Sequence, residues 1–80
     1  MYWKVTDVEA RDDFTLVLTF EDGQRRLFDM KPYLEKGIFR ELKDIAMFKT
    51  ARVCFSSVSW ANEADLDPEA LYDLGLPLDE

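Results

Sequence analysis

The chain is predicted to fold as an α+β domain: a small antiparallel sheet built on an N-terminal β-meander, with short helical turns and a capped C-terminal helix. Three observations carry that class. Phe14 to Met30, FTLVLTFEDGQRRLFDM, is two β-rich runs around Asp22-Gly23, a pair suited to a tight hairpin turn. After Met30 the apolar spacing changes to three and four residues, which is helical. Near the end, Asp67-Pro68-Glu69 reads as a helix start: a capping side chain, a proline at the first position and an acid at the positive end of the dipole.

Trp3 to Ala10 reads as the first strand, and Asp12-Asp13 as its turn into the hairpin. Three strands meet the need for more than a lone hairpin before a sheet is stable. With Asp22 and Gly23 as a two-residue loop, Phe20 lies opposite Arg25, Leu18 opposite Leu27 and Leu16 opposite Asp29. One face then holds Phe14, Leu16, Leu18, Phe20 and Leu27. This register is preferred because a slip of one residue puts Arg26 beside Leu18 on the core face. It also puts Val17 and Phe28 together on the wet face, either covered by the C-terminal part of the chain or exposed as a small partner patch.

Lys31-Pro32 ends the ribbon, because proline has no donor for a ladder. Pro32 to Lys36 suits one helical turn, stopped at Gly37 by a left-handed cap. Ile38, Phe39, Leu42, Ile45, Met47 and Phe48 then suit broken helical turns with one buried face. Asp44 is placed to cap a turn over Ile45 to Lys49. Ala51 to Phe55 and Val58 to Trp60 read as two short strands, with Ser56-Ser57 as their turn. In the last element Leu71 and Leu74 give the buried side. Gly75 stands where a left-handed cap belongs, and Leu76 is placed to fold back on Leu71.

Eighty residues make one domain, 1–80, with a small core. Hydrophobic content of 48% excludes a disordered chain. No apolar run approaches the length of a membrane span. MYWKVTDVEA lacks the basic and apolar regions of a signal peptide. The single cysteine cannot form an internal disulfide. Together these point to a soluble cytoplasmic protein.

The net charge is −7, and it is unevenly placed. All ten bases fall in residues 1–60, balanced there by ten acids, whereas residues 61–80 hold seven acids and no base. No basic cluster suited to phosphates is present, which argues against direct nucleic-acid binding. The acidic end would attract a basic partner.

The chain has no histidine, the commonest general base near neutral pH and the commonest metal ligand. Cys54 therefore reads as a small apolar strand residue rather than a nucleophile. Glu63, Asp65, Asp67 and Glu69 alternate along one segment, as oxygen ligands of a hard cation would. The EF-hand pattern fails, however: counted from Glu63, its glycine and glutamate positions hold Pro68 and Leu74, and from Asp65 they hold Ala70 and Leu76. Asp67 is expected to cap the last helix, and the other acids to be solvated. No catalytic residue, metal or cofactor is expected.

The order of features resembles one small bacterial family. The D-G hairpin runs into Leu27-Phe28-Asp29-Met30. Pro-Tyr-Leu, Phe39, Leu42 and Phe48 follow, then Trp60-Ala61-Asn62-Glu63-Ala64-Asp65-Leu66 and Pro68-Glu69-Ala70-Leu71-Tyr72. This is similar to domain of unknown function 2442, from about Val5 to Tyr72. Members usually show Trp-Pro-Asn-Gly in the most specific segment, where this chain has Ala61 and Glu63. The resemblance implies a compact α+β domain, no established activity, and genes often paired with a second small protein, as in toxin–antitoxin modules.

The expected function is a non-enzymatic protein-interaction module, antitoxin-like in such a pair. Its expected contact residues are Trp60, Asn62, Glu63, Asp65 and Glu69, with Trp60 as the anchor if partly exposed. A carboxylate-based metal or small-ligand binder and a structural homodimer are the alternatives.

Overall fold

The computed structural model describes residues 4–67, 71 and 75–77. Among the described residues seven strands form: β1 Val5–Ala10, β2 Thr15–Phe20, β3 Arg25–Asp29, β4 Arg52–Cys54, β5 Ser57–Ser59, β6 Asp65–Leu66 and β7 Leu76–Pro77. They make two antiparallel sheets, of order β1-β2-β3-β7 and β4-β5-β6. The expected meander is the body of the first. Between β3 and β4 run two 3₁₀ segments, Lys31–Tyr33 and Gly37–Lys43, and one α turn, α1, Ile45–Phe48. Gly37 has φ +49°, as the expected left-handed stop requires. The Asp44 carboxylate accepts from the Ala46 N–H at 3.1 Å and caps α1 as expected.

The hairpin register differs from the expected one by one residue. Leu16 pairs with Phe28, Val17 with Leu27 and Leu18 with Arg26. The loop has three residues, Glu21-Asp22-Gly23, not two. Gly23 N–H donates to Phe20 O, and Phe20 N–H to Gln24 O, both at 2.9 Å. Asp22 accepts from the Gln24 N–H at 3.0 Å, so its side chain closes its own turn. Only Gly23 then needs positive φ, at +87°. This is a type I turn followed by a left-handed bulge residue.

The slip rearranges both faces. Phe28 is 3% exposed in the core and stacks on Tyr33 with ring centroids 5.6 Å apart. Val17, 5% exposed, meets Leu27 on the opposite face, so the expected Val17–Phe28 patch does not form. Arg26 does land beside Leu18. It is tolerated because its stem lies along the sheet while its head escapes sideways, donating to Gln24 Oε1 at 2.7 Å and Gly75 O at 3.3 Å. Gly75 is needed for space: a Cβ there would lie 2.7 Å from Leu71 O and 3.0 Å from Arg26 Cβ.

The second hairpin also turns one residue earlier than expected. Cys54 pairs with Ser57, so the loop is Phe55-Ser56, with φ +50° and +67°. The two-residue loop expected at Asp22-Gly23 forms here instead, at residues that lack glycine's freedom.

Of the expected first strand, Trp3 lies outside the described residues. So do residues 68–70 and 72–74 of the expected capped helix. At its described positions, Leu71 N–H donates to Asp67 O at 3.1 Å and Gly75 N–H to Leu71 O at 3.0 Å. Leu76 pairs with Leu27 as a strand residue and is 66% exposed, rather than folding back on Leu71. The core gathers Leu16, Leu18, Phe20, Met30, Leu42, Phe48, Val58, Trp60 and Leu71, each below 2% exposure.

Candidate functional site

Strand β5 delivers Trp60 into the core, where it is fully buried. Its Nε1–H donates to Phe48 O at 2.9 Å, which satisfies the one polar atom of the ring. Phe39 packs edge-on to it and Phe48 tilts against it, each with centroids 6.2 Å away. Trp60 therefore cannot be the contact anchor considered from sequence. It is an internal post that fixes the loop leaving it.

That loop is Ala61-Asn62-Glu63. Glu63 N–H donates to Trp60 O, and Trp60 N–H to Ala64 O, both at 2.9 Å. Asn62 accepts from the Ala64 N–H through Oδ1 at 3.1 Å. Its Nδ2 donates outward to Glu41 Oε1 at 3.1 Å and to Ile38 O at 3.4 Å. Thr50 adds a second tie, accepting from the Ala61 N–H at 3.0 Å and donating to Met47 O at 2.7 Å. The loop is thus latched to the Gly37–Lys43 segment and to the end of α1.

Glu63 is exposed, has φ +71°, and has no ion-pair partner among the described residues. Asp65 is exposed on the edge strand β6, with its backbone paired to Ser59. Asp67 is exposed as well, and Glu69 lies outside the described residues. No cluster of carboxylates, cysteine or histidine suited to a metal occurs among the described residues. Beside the Asn62–Glu41 latch lies Ile38, an aliphatic side chain 46% exposed. A shallow hollow of about 340 Å³, lined by Gly37, Arg40 and Glu41, adjoins it.

The structure therefore brings Asn62, Glu63 and Asp65 onto one edge and removes Trp60 from it. Sequence reasoning missed Ile38 and Glu41. Neither carries a signal of its own, because the Asn62 amide joins them to the loop across more than twenty positions.

Elsewhere, Thr15 Oγ1–H donates to the Asp13 carboxylate at 2.6 Å. That bond holds the Asp13 carboxyl below the ordinary 3.8. Lys43 donates to Glu35 at 2.6 Å, and this bond, with the charge behind it, holds Glu35 below 4.5. No helix among the described residues is long and apolar enough to cross a membrane.

Among known proteins, the model of the family described as a protein of unknown function, DUF2442, matches residues 5–76. Neither a curated protein nor a solved structure matches.

Proposed function

As the chain belongs to the DUF2442 family, a family of unknown function, we propose that it is a non-enzymatic protein-interaction module whose recognition surface is the Trp60 loop with the turn latched to it. The observation that carries this reading is the pairing of a rigid post with an unpaired display. Trp60 is locked in the core, and the loop it fixes holds Glu63 out in an unfavourable backbone region with no described partner. Backbone strain of about 1–2 kcal/mol at such a residue supports a use for the side chain, because strained residues cluster at binding sites, although Phe55 at φ +50° in the second hairpin carries the same strain while exposed.

Glu63 and Asp65, in the acid-only last quarter of the chain, suit a basic partner. Ile38 supplies the apolar contact that gives such a surface affinity beyond charge. The partner would be a second small protein, in an antitoxin-like pair.

Tagged protein, purified from its own host at low salt, should bring down one basic protein in equal amount. Glu63→Lys with Asp65→Lys should release it while leaving the thermal midpoint within a few degrees. Retention of the partner by that variant, or no partner at all, would refute the proposal.

A further inference from the structure

Four large apolar side chains stand exposed among the described residues: Ile38, Val53, Phe55 and Leu76. Ile38 belongs to the surface beside the Trp60 loop. Val53 and Phe55 lie at the tip of the second hairpin. Phe55 is 97% exposed. It holds the first position of the two-residue turn at φ +50°, where Asn or Gly turns more easily. A ring thus occupies a strained position and touches almost nothing of its own chain. Arg52, on the same strand, is exposed and has no ion-pair partner among the described residues. Lys4, which precedes the Val5 N–H bonded to Ser56 O, pairs with Glu21 at 3.9 Å.

Leu76 stands at the wall of a second hollow, lined by Leu27, Phe28, Asp29, Pro32, Tyr33 and Leu76. Its volume is about 300 Å³, the small end of ligand pockets. Tyr33 is fixed there by its stack on Phe28 and by Lys36 Nζ over its ring, each at 5.6 Å. Lys31 is engaged too: its Nζ lies 3.2 Å from Asp29 Oδ1 and 3.3 Å from Asp13 O, and its N–H donates to Asp29 Oδ1 at 2.9 Å. Asp29 Oδ2 has no partner among the described residues. The wall is therefore apolar, and the acid on it keeps one oxygen open.

Tip and hollow cannot meet within one chain. Ser56 sits against the start of β1 through the Val5 N–H at 2.9 Å, whereas the hollow lies beside β3 and β7, with β2 between. We propose that the occupant of the hollow is Phe55 of a second copy, with its Arg52 beside Asp29 of the chain that receives it. Because the two surfaces lie on opposite edges of the first sheet, the contact repeats head to tail. It covers Phe55 and Leu76 in one step and leaves Val53 at its rim. A buried aromatic ring contributes about 150–250 Å², whereas a stable interface takes about 800 Å² from each partner. The association is accordingly weak and reversible, and it uses neither Glu63 nor Asp65.

The test is sedimentation of the whole chain. Its mean mass should rise from one chain at micromolar to several at millimolar concentration. Added salt should raise it further, because salt screens repulsion between copies of net charge −7. Phe55→Asn puts a residue suited to the turn in its place, so this variant should melt no lower than the parent and stay monomeric. Leu76→Asp, at an exposed side chain, should also stay monomeric. Mixed in equal amounts, the two variants should form a complex of two chains and no larger. Only the intact tip of one and the intact hollow of the other are then left to pair.

A parent chain still monomeric at millimolar concentration would overturn the inference, and so would association that survives Phe55→Asn. Variants that remain separate when mixed would show that like surfaces meet, not tip and hollow. Binding to phosphatidylcholine vesicles that Phe55→Asn abolishes, without self-association, would make Phe55 a membrane contact instead. Glu63→Lys with Asp65→Lys should leave the self-association in place, which keeps this test distinct from that of the Trp60 loop.

Discussion

The loops Glu21-Asp22-Gly23 and Ala61-Asn62-Glu63 have the same backbone. In each, a first N–H donates four residues on and a return N–H closes three residues, at 2.9 Å throughout. A middle Asp22 or Asn62 accepts from the second N–H beyond it, at 3.0 and 3.1 Å. A third copy exists at Asp12-Asp13-Phe14, where Arg11 N–H donates to Thr15 O at 2.9 Å, Phe14 N–H to Arg11 O at 3.1 Å, and Thr15 N–H to Asp13 at 3.2 Å. The copies differ at the left-handed position, which holds Phe14, Gly23 or Glu63 at φ +64°, +87° and +71°. Gly23 takes that conformation freely. Phe14 is held by packing, its ring centroid 5.2 Å from that of Phe48. Glu63 lacks glycine's freedom, is exposed, and has no ion-pair partner among the described residues. In these three loops the same strain falls on a glycine, on a ring packed in the core, and on an exposed acid, and the last is the loop proposed to meet a partner.

Substitutions at the three positions should separate these cases. Phe14→Gly should destabilise most, by about 2 kcal/mol in urea unfolding, because lost ring contacts outweigh the relieved backbone. A stabilised Phe14→Gly would show that the ring contributes no net packing. Gly23→Ala should cost about 1 kcal/mol from backbone strain alone, since a Cβ there meets nothing within 4 Å. Asn62→Ala should also cost about 1 kcal/mol, the ordinary loss for a hydrogen bond, and more than Asp22→Ala, which breaks no described latch to a second segment. Equal losses would mean that the tie to Ile38 and Glu41 adds nothing.

Glu63→Gly should raise stability by about 0.5 kcal/mol, relieved strain being partly offset by the freer unfolded chain. It should also weaken partner capture. A loss of stability would show that Glu63 is held by the fold after all.

The smallest effect expected is on acid stability. The Asp13 carboxyl is lowered in the folded chain by the Thr15 hydroxyl. Its contribution is therefore complete above the ordinary 3.8 and is lost as pH falls from there through the lower folded value. Thr15→Val should flatten the stability profile below pH 3.8 relative to the parent chain. A profile of unchanged slope would separate the Asp13 turn from acid unfolding.

Much of this is written locally. The meander, the Gly37 stop, the Asp44 cap and the broken turns between them follow from residues a few positions apart, and each stands where the sequence reading expected it. The middle Asp or Asn of each loop is also a local signal: read as a side-chain-closed turn, Asp22 specifies three loop residues rather than two. The sequence reading gave Gly23 and Asp22 equal weight as turn formers, and so missed the register by one.

The antiparallel frame, the acid-only end and the residue types offered at each turn are legible in the chain alone, because these rest on backbone preference, alternation and charge count. It took the folded chain to show that Arg26 sits on the core face, that Trp60 is a post rather than a contact, and that Asn62 reaches Glu41. Each of these depends on which distant backbone atom lies within hydrogen-bond reach, and no local spacing encodes that.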